Sequence, residues 1–234
     1  MLLYIVRHGD PDYETDSLTP RGLLQAESVG KRIAASKIDR IFSSPMGRAR
    51  QTAAPAARLL GLDVTIEGWA HEIEEERLTP FPDGKIKSVT FVQNTHYRNN
   101  GSIDIPYDKA FEAPGFKESG MIHACKRIED GGREFLKRLG YEEENGIYRI
   151  IKPNEEKIAL FCHTAMARAW ISSLLHIPVH LMWAGFSYTH TGVTVIKFKN
   201  NPDGFTAPKL LCFSDTSHLY AHGPDMTYDN LYDL

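Results

Sequence analysis

The sequence has few cysteines, no long apolar run and no large excess of either charge. The three cysteines, Cys125, Cys162 and Cys212, are widely spaced in apolar surroundings, a pattern typical of reduced packing residues in a cytoplasmic protein. No run of apolar residues approaches the roughly 20 that a membrane-spanning helix needs. The opening residues are too short an apolar run for a signal peptide, with no basic lead-in and no small-residue cleavage site. The sequence therefore predicts a cytoplasmic protein with no membrane partner.

The charge balance gives no reason to expect nucleic acid as a partner. The formal net charge is -3, whereas proteins that bind nucleic acid carry basic patches that neutralise phosphates. Charged residues at 24% and hydrophobic residues at 42% are ordinary for a soluble globular protein. At 234 residues the chain can bury one sizeable core, so we expect a single domain spanning residues 1–234.

The histidines do not have the spacing of metal ligands. Pro178 lies between His176 and His180 and disfavours a helix that would carry both as ligands. His71 and Glu72 lack the second histidine of the zinc-protease motif, and no Cys-x-x-Cys occurs. We therefore expect neither a metal ion nor another cofactor.

The opening stretch ends in residues suited to chemistry. Leu2 to Val6 form an unbroken apolar run that predicts a buried strand, and Arg7, His8 and Gly9 follow it directly. Ligands of open α/β sheets bind beyond the carboxyl ends of the strands, and glycine permits a tight turn or a close approach there. On these residues alone, the simpler interpretation is a packed core histidine beside a surface arginine.

Strands and helices alternate along the first third of the chain. A hydroxyl N-cap at Thr19, followed by Pro20, predicts a helix through about residue 35, and a second helix follows Pro45 and runs to about residue 60. Short β-rich runs predict strands over 38–42 and 64–66. This βαβαβ order is typical of a mostly parallel sheet, so we expect a three-layer α/β sandwich with helices flanking the sheet.

Regular structure is predicted again in the second half of the chain. Apolar spacing indicates a helix over about 119–139. Residues 158–162 are a second unbroken apolar run, which also ends in a histidine, His163, before an apolar helix. Residues 193–198 and 209–213 predict two strands of a β-hairpin at the sheet edge. The polar C-terminal tail supports no prediction.

Basic side chains follow the ends of three predicted strands. Arg7 and His8 follow the first, Arg48 comes shortly after the second, and His163 ends the third. Right-handed crossovers between parallel strands bring these ends to one side of the sheet. Two guanidinium groups and two imidazoles in one crevice predict an oxyanion site, and the forked guanidinium suits phosphate.

These motifs carry a resemblance to a known family. Their residues are Arg7-His8-Gly9, Leu18-Thr19-x-x-Gly22-x-x-Gln25-Ala26, Ser43-Ser44-Pro45-Met46-Gly47-Arg48-Ala49-Arg50-Gln51-Thr52-Ala53, and the strand that ends in His163. In this order they resemble the histidine phosphatase superfamily, which includes the cofactor-dependent phosphoglycerate mutases. The resemblance covers residues 1 to about 72 and 158 to about 219, and the middle of the chain is unmatched.

The resemblance implies a role for each of the basic residues. His8 matches the nucleophile that accepts the phosphoryl group as phosphohistidine, and neutral imidazole is nucleophilic near pH 7. Arg7, Arg48 and His163 match the residues that hold the phosphate and stabilise its developing charge, so His163 is counted both as a binding and as a catalytic residue.

The leaving oxygen also needs a proton. In the family this proton comes from an acid that follows the third strand along the chain, which here is the strand predicted over 64–66. Glu72, in Trp69-Ala70-His71-Glu72, best fits that place. Glu74, Glu75 and Glu76 are better explained as a solvated acidic face. The resemblance therefore implies Glu72 as the general acid.

Two departures from the family pattern bear on the activity. Thr164 follows His163 where the family commonly has glycine, and Asp10-Pro11-Asp12 lacks the further arginine of the acid-phosphatase branch, so a phytase-like enzyme is disfavoured. The sequence favours a phosphomonoester hydrolase that acts through phosphohistidine on a small phosphorylated metabolite. A cofactor-dependent phosphoglycerate mutase is the alternative, and a catalytically inactive phosphate-binding module is a third interpretation.

Residues 77–118 break the alternation of strands and helices. This segment combines prolines and glycines with the aromatic residues Phe81, Phe91, Tyr97, Tyr107, Phe111 and Phe116. Such a segment is usually a lid or a disordered linker, and the aromatic residues favour a lid because they give it surface to bury. Its basic residues are Lys85, Lys87, Arg98 and Lys109, each of which alone would be a solvated charge. Together they predict a lid that reads the part of the substrate beyond its phosphate.

Overall fold

The structure is a computed structural model that describes residues 1–80, 84–89 and 101–222. Its helices are α1 (Pro20–Ala35), α2 (Gly47–Leu60), α3 (Met121–Arg138), α4 (Thr164–Leu175), α5 (Val179–Gly185) and α6 (Ser217–His222). Its strands are β1 (Leu2–Arg7), β2 (Pro11–Asp12), β3 (Ser17–Leu18), β4 (Arg40–Ser43), β5 (Val64–Ile66), β6 (Leu78–Pro80), β7 (Ile86–Ser88), β8 (Tyr141–Glu144), β9 (Ile147–Ile150), β10 (Lys157–Cys162), β11 (Val193–Lys197), β12 (Phe205–Thr206) and β13 (Lys209–Asp215). Within the described ranges, no helix has the length and apolar character needed to cross a lipid bilayer.

Six strands form the central sheet in the order β13-β11-β1-β10-β4-β5. The strands β1, β10, β4 and β5 are parallel, while β11 is antiparallel to β1 and β13 is antiparallel to β11. The predictions of a mostly parallel sheet and of a hairpin at its edge are therefore confirmed. Because β11 runs against its neighbours, the residues that precede it lie at the same sheet edge as the carboxyl ends of β1 and β10.

Side chains alternate between the two faces of the sheet, and helices cover both faces. On β1, Leu3 and Ile5 belong to a core shared with α3 and α4, whereas Val6 belongs to a second core shared with α1 and α2. The strand β10 alternates in the same way, with Leu160 in the first core and Phe161 in the second. A strand buried on both faces needs apolar residues at every position, which explains the two unbroken apolar runs. The three-layer α/β sandwich is confirmed.

The helices α1 and α2 cross closely on one face of the sheet. Thr19 caps α1 by accepting a hydrogen bond from the Gly22 amide at 3.0 Å, as predicted. At the crossing, a Cβ on Gly30 would lie 2.7 Å from Cβ of Pro55 and 3.1 Å from the backbone nitrogen of Ala56. Only glycine therefore allows the two helices to approach this closely.

Several elements have weak signals in the sequence. The hairpin β8–β9 turns at Asn145 and Gly146, which both have positive φ, and β12 pairs with β9. The polar tail, for which no element was predicted, begins with α6, where His218 and Leu219 are buried. These elements are short, so periodicity says little about them.

Part of the middle segment packs into the core beside α4 and α5. Phe116 meets Trp183 edge to face with 5.7 Å between ring centroids, and Tyr107 stacks on His176 at 4.8 Å. These two contacts bury aromatic surface, as expected if the segment is not a disordered linker. Whether residues 77–118 act as a lid stays a prediction. Phe81, Phe91, Tyr97 and Arg98 lie outside the described residues.

We expect Gly30→Ala to lower the free energy of unfolding, although alanine favours helix. The added methyl group would overlap Pro55 and the backbone of α2, and overpacking of this kind costs about 1–3 kcal/mol. Gly185→Ala is a matched control, because nothing lies within 4 Å of a Cβ there. Urea unfolding should give a lower midpoint at unchanged slope for Gly30→Ala and no loss for the control. Equal midpoints in the two variants would contradict the close helix crossing.

Candidate active site

The strand β1 delivers His8 to the sheet edge in a fixed orientation. The His8 amide donates a hydrogen bond to the carbonyl of Cys162 at 2.9 Å, and the Gly9 amide donates to Thr52 Oγ1 at 3.0 Å. A Cβ on Gly9 would lie 2.7 Å from the carbonyl oxygen of Gly22, so α1 can come this close only to glycine. The glycine that follows the histidine is thus explained by packing.

A hydrogen bond of the His8 ring fixes which ring nitrogen carries the proton. Nδ1 lies 2.7 Å from the carbonyl oxygen of Gly9, and because a carbonyl only accepts, Nδ1 carries the proton. Nε2 is then left with its lone pair. Burial, followed by the nearby His163 and Arg7, lowers the pKa of His8 well below 6.5, so the ring is neutral at pH 7. The atom suited to attack is Nε2 of a neutral imidazole.

His163 ends β10 and stands beside His8, with 5.1 Å between the ring centroids. Its Nε2 lies 2.7 Å from Ser44 Oγ, a hydroxyl that also accepts the amide of Met46 at 3.3 Å. When this hydroxyl donates to Nε2, the imidazole proton is on Nδ1, a buried atom with no partner among the described residues. Burial, followed by Arg48 and other cations, lowers the pKa of His163 well below 6.5. His163 is a second neutral imidazole with an unsatisfied nitrogen.

Both predicted arginines are buried at this edge, with 3% of Arg7 and 4% of Arg48 exposed. Arg7 donates through Nη1 to the carbonyl of Tyr188, and Arg48 pairs through Nη1 with the carboxylate of Asp16. The same carboxylate accepts the amide of Gly47 at 2.6 Å, so the turn between β2 and β3 closes over the start of α2. Together with burial, both guanidinium groups lower the pKa values of the two histidines.

Glu72 is buried at the start of α4, whereas Glu74 is exposed. Its Oε1 accepts the amides of Ile73 at 2.9 Å and Met166 at 2.8 Å, and its Oε2 accepts the amide of Ala165 at 3.2 Å. The carboxylate therefore occupies the N-terminus of α4, where the helix dipole favours negative charge. Oε2 makes one of these bonds and Oε1 makes two, so the remaining acceptor site on Oε2 is where a proton would sit.

A third imidazole, His190, lies at the same edge and was not predicted. Its ring centroid is 5.7 Å from that of His8, and Nδ1 is 3.7 Å from Asp10 Oδ1. Burial, followed by Arg7 and Arg21, lowers the pKa of His190 to about 2, so this ring is also neutral. Only the predicted order of the strands could have indicated this residue. The predicted hairpin at the sheet edge brings the loop before β11 to the ends of the parallel strands.

Arg127 of α3 is a further residue that no sequence motif indicated. Its Nη1 donates to the Trp69 carbonyl at 2.7 Å and lies 3.3 Å from Nδ1 of His71. Its Nε and Nη2 are buried and have no hydrogen-bond partner within the described ranges. Burial lowers the pKa of Arg127, while Glu76 and Glu72 oppose that change. A guanidinium group with two unsatisfied nitrogens therefore lies beside the backbone of Trp69 and the ring of His71, which precede Glu72 in the chain.

The assembled site combines two neutral imidazoles, two buried cations and a buried carboxylate. All five residues indicated by the sequence, Arg7, His8, Arg48, Glu72 and His163, are buried. Cations beside the nucleophile offset the repulsion between a phosphate dianion and an attacking lone pair. In the described part of the chain, no group of three His, Cys, Asp or Glu side chains could hold a metal ion.

Comparison with known proteins agrees with this arrangement. A sequence profile of the histidine phosphatase superfamily (branch 1) matches residues 3–80, which include Arg7, His8, Arg48 and Glu72. The resemblance to the histidine phosphatase superfamily is thereby confirmed. The chain is 28% identical over 147 residues to a probable phosphoglycerate mutase GpmB of Citrobacter koseri, a match that covers 57% of this chain and 67% of the relative. The protein of the same name from Escherichia coli O1:K1 is 27% identical over 147 residues, with the same coverage.

Solved structures share the fold over almost the whole chain. One is a histidine-to-alanine variant of phosphoserine phosphatase from Entamoeba histolytica in complex with phosphoserine, with a TM-score of 0.60 and 23% identity over 93% of this chain and 98% of that one. Another is mycobacterial glucosyl-3-phosphoglycerate phosphatase with VO3, with a TM-score of 0.59 and 19% identity over 92% of this chain and 99% of that one. At these identities the likeness shows the fold alone, and that fold includes the strand that ends in His163.

The lowered pKa values of His8, His163 and His190 predict a loss of stability below about pH 6.5. His8, His163 and His190 each have a native pKa well below the unfolded value, so the unfolded chain binds more protons as the pH falls. The free energy of unfolding should therefore decrease by up to about 1.4 kcal/mol per pH unit for each histidine.

Urea unfolding at a series of pH values between about 7.5 and 5 measures this slope. His8→Ala should reduce the slope, whereas His123→Ala, at an exposed position on α3, should leave it unchanged. The same slope in the parent protein and in His8→Ala would contradict a buried, neutral His8.

Proposed function

We propose that this protein is a phosphomonoester hydrolase that forms a phosphohistidine on Nε2 of His8. The observation that carries the proposal is a neutral imidazole whose Nδ1–H is fixed by a carbonyl and whose ring lies beside two buried guanidinium groups. A hydrolase of small phosphorylated metabolites agrees with the phosphatases that share the fold, one of which holds phosphoserine.

In the first step Nε2 of His8 attacks phosphorus, so that an N–P bond forms and the P–O bond to the leaving group breaks. Arg7, Arg48 and Nδ1 of His163 bind the non-bridging oxygens and stabilise their charge. The Nε atom of Arg48 is buried without a partner among the described residues, which leaves it for a phosphoryl oxygen. The Gly9 carbonyl accepts Nδ1–H while positive charge develops on the His8 ring.

Glu72 moves the proton in both steps of the proposed reaction. Its carboxylic acid gives a proton to the leaving oxygen, which departs as an alcohol. In the second step the Glu72 carboxylate takes a proton from a water molecule that attacks phosphorus. The N–P bond then breaks, inorganic phosphate leaves and His8 is restored. The three amides that hold Glu72 fix its carboxyl group, and Oε2 keeps one site for the proton.

A phosphoglycerate mutase would use the same residues, and the curated relatives named above are probable mutases. A mutase must return the phosphoryl group to the substrate and retain a bisphosphate intermediate, whereas a hydrolase gives the group to water. Release of inorganic phosphate from esters with no added bisphosphate supports the hydrolase. Conversion between phosphoglycerate isomers without phosphate release would instead support the mutase.

We also propose that the middle segment 77–118 selects the substrate. Tyr107 stacks on His176 at the C-terminal end of α4. The helix is about 18 Å long and its other end faces the site, so the part of the segment around Tyr107 serves as an anchor and does not reach the substrate. The hairpin β6–β7 begins six residues after Glu72 and carries Lys85 and Lys87 on or beside β7. Among the lysines of the segment that the structure describes, these two are the nearest in sequence to Glu72, and we expect them to meet the part of a substrate beyond its phosphate.

We expect a phosphoryl group on His8 during turnover. A radiolabelled ester should transfer label to the protein, and this label should be lost in acid and retained in alkali because a phosphoramidate bond holds it. His8→Ala should carry no label, while His123→Ala, which alters an exposed histidine, should be labelled like the parent protein. Label that persists on His8→Ala would overturn the assignment of the nucleophile.

Glu72→Gln should slow hydrolysis in proportion to the need of the leaving group for a proton. Alkyl phosphates should lose about 100-fold or more in rate, while p-nitrophenyl phosphate should lose far less because nitrophenolate leaves without a proton. Glu74→Gln is the matched control at an exposed position and should affect neither substrate. Equal losses on both kinds of ester would give Glu72 a structural role only, as the cap of α4.

A further inference from the structure

His190 lies next to the proposed nucleophile, yet the proposed function gives it no role. Its ring centroid is 5.7 Å from that of His8, little more than the 5.1 Å between His8 and His163. The side chain is 19% exposed, but Nε2 is buried and has no partner among the described residues. A buried polar atom without a hydrogen-bond partner lowers the free energy of unfolding by about 1–3 kcal/mol. Packing alone therefore does not explain a histidine at this position.

The loop that carries His190 is hydrogen-bonded to the backbone of His8. The Thr191 amide donates to the carbonyl of His8 at 3.2 Å, although Thr191 has φ 55°. This left-handed conformation is unfavourable for a β-branched residue, and backbone strain of this kind is concentrated at functional sites. From α6, Nε2 of His218 lies 3.0 Å from Thr191 Oγ1 and supports the loop. The fold accepts strain at Thr191 and so holds His190 beside His8.

A carboxylate is fixed on the other side of the His190 ring. Asp10 Oδ1 lies 3.7 Å from Nδ1, which is too long for a hydrogen bond but short enough for an ion pair. The Asp10 carboxylate accepts the hydroxyl of Thr19 at 2.7 Å, and its amide donates to Gln25 Oε1 at 2.7 Å. Asp10 can therefore act as a counter-ion to a charged imidazole without moving.

We propose that His190 is a phosphoryl-binding residue whose Nε2–H donates to a non-bridging oxygen of the transferring group, with Asp10 as counter-ion at Nδ1. The inference rests on the proposed function and deepens it, and it adds no covalent step. Burial keeps the His190 ring neutral, Arg7 and Arg21 also oppose a proton on it, Asp10 favours one, and the neighbouring His8 is neutral. A phosphoryl dianion that accepts a hydrogen bond from Nε2 offsets the arginine charges and adds to the attraction of Asp10, so the ring takes one proton from solvent when the dianion binds.

Two amide substitutions of His190 distinguish the role of Nε2 from that of Nδ1. Gln places an N–H group near the position of Nε2, whereas Asn places one near that of Nδ1. We expect His190→Asn to lower kcat/KM for p-nitrophenyl phosphate by about 10- to 100-fold, as for a lost charge-assisted hydrogen bond, and His190→Gln to retain most of the activity. Parental activity in both variants, or an equal loss in both, would overturn the role of Nε2.

Binding of inorganic phosphate separates a binding role from a structural one. The inhibition constant of phosphate should rise in His190→Asn and rise less in His190→Gln, while both variants keep the thermal midpoint of the parent protein. His123→Asn makes the same change at an exposed position on α3 and should change neither quantity. Unchanged phosphate inhibition in His190→Asn would show that the ring does not touch the phosphoryl group.

Titration calorimetry of phosphate binding in two buffers with different ionisation heats counts the protons taken up. The parent protein should take up more protons than His190→Gln, whose amide cannot be protonated. Equal uptake would rule out a charged His190 in the complex.

Failure of this inference can be told apart from failure of the proposed function. If the parent protein forms no phosphohistidine, the proposed function itself fails. If the parent is labelled on His8, and His190→Asn is labelled and turned over at the parental rate, only the role of His190 fails.

Discussion

Burial of positive charge is the constraint on which the site depends. Two guanidinium groups that have almost no contact with solvent would be strongly destabilising if they were left alone. The fold binds Arg7 to the Tyr188 carbonyl and Arg48 to the Asp16 carboxylate, so both cations are in place before a substrate arrives. Burial, reinforced by these cations, keeps the adjacent imidazoles neutral, so His8 keeps the lone pair of its Nε2. The same buried site therefore combines a place for an anion with an uncharged imidazole.

The sheet holds this arrangement with backbone contacts more than with side chains. His8 is fixed by the carbonyl of Cys162 on the neighbouring strand, and Gly9 is fixed by α2 and by its close approach to Gly22 on α1. The antiparallel β11 then brings a loop back to the same edge, where the Thr191 amide reaches the carbonyl of His8. His8 is thus held from both neighbouring strands and from the helices on one face.

Local patterns in the sequence were enough to predict the framework and part of the site. The run from Leu2 to Val6, followed by Arg7 and His8, signals both a buried strand and the chemistry at its end. Thr19 and Pro20 signal a helix start, and the structure shows the expected cap. Such signals can be read because each depends on a few adjacent residues. Glu72 was placed by family resemblance, and the amides that hold it became visible only once α4 was folded against it.

Contacts between distant residues could not be read in the same way. Arg127 donates to the Trp69 carbonyl although the two lie 58 residues apart in the chain, and Arg48 pairs with Asp16 of a different loop. The loop that carries His190 has no periodicity, so its position follows only from the strand order. The hairpin β8–β9 was missed for a different reason, because three successive glutamates from Glu142 to Glu144 give β8 a polar sequence.

The carboxylate of Asp16 bears on how the proposed catalytic cycle ends. It binds Arg48 and the Gly47 amide, so the pocket contains an anion of its own. Departing phosphate does not leave a bare guanidinium group behind, which makes product release easier. In the proposed cycle Arg48 meets only the phosphoryl group, which every ester shares. Discrimination between esters is then left to contacts outside the phosphate pocket.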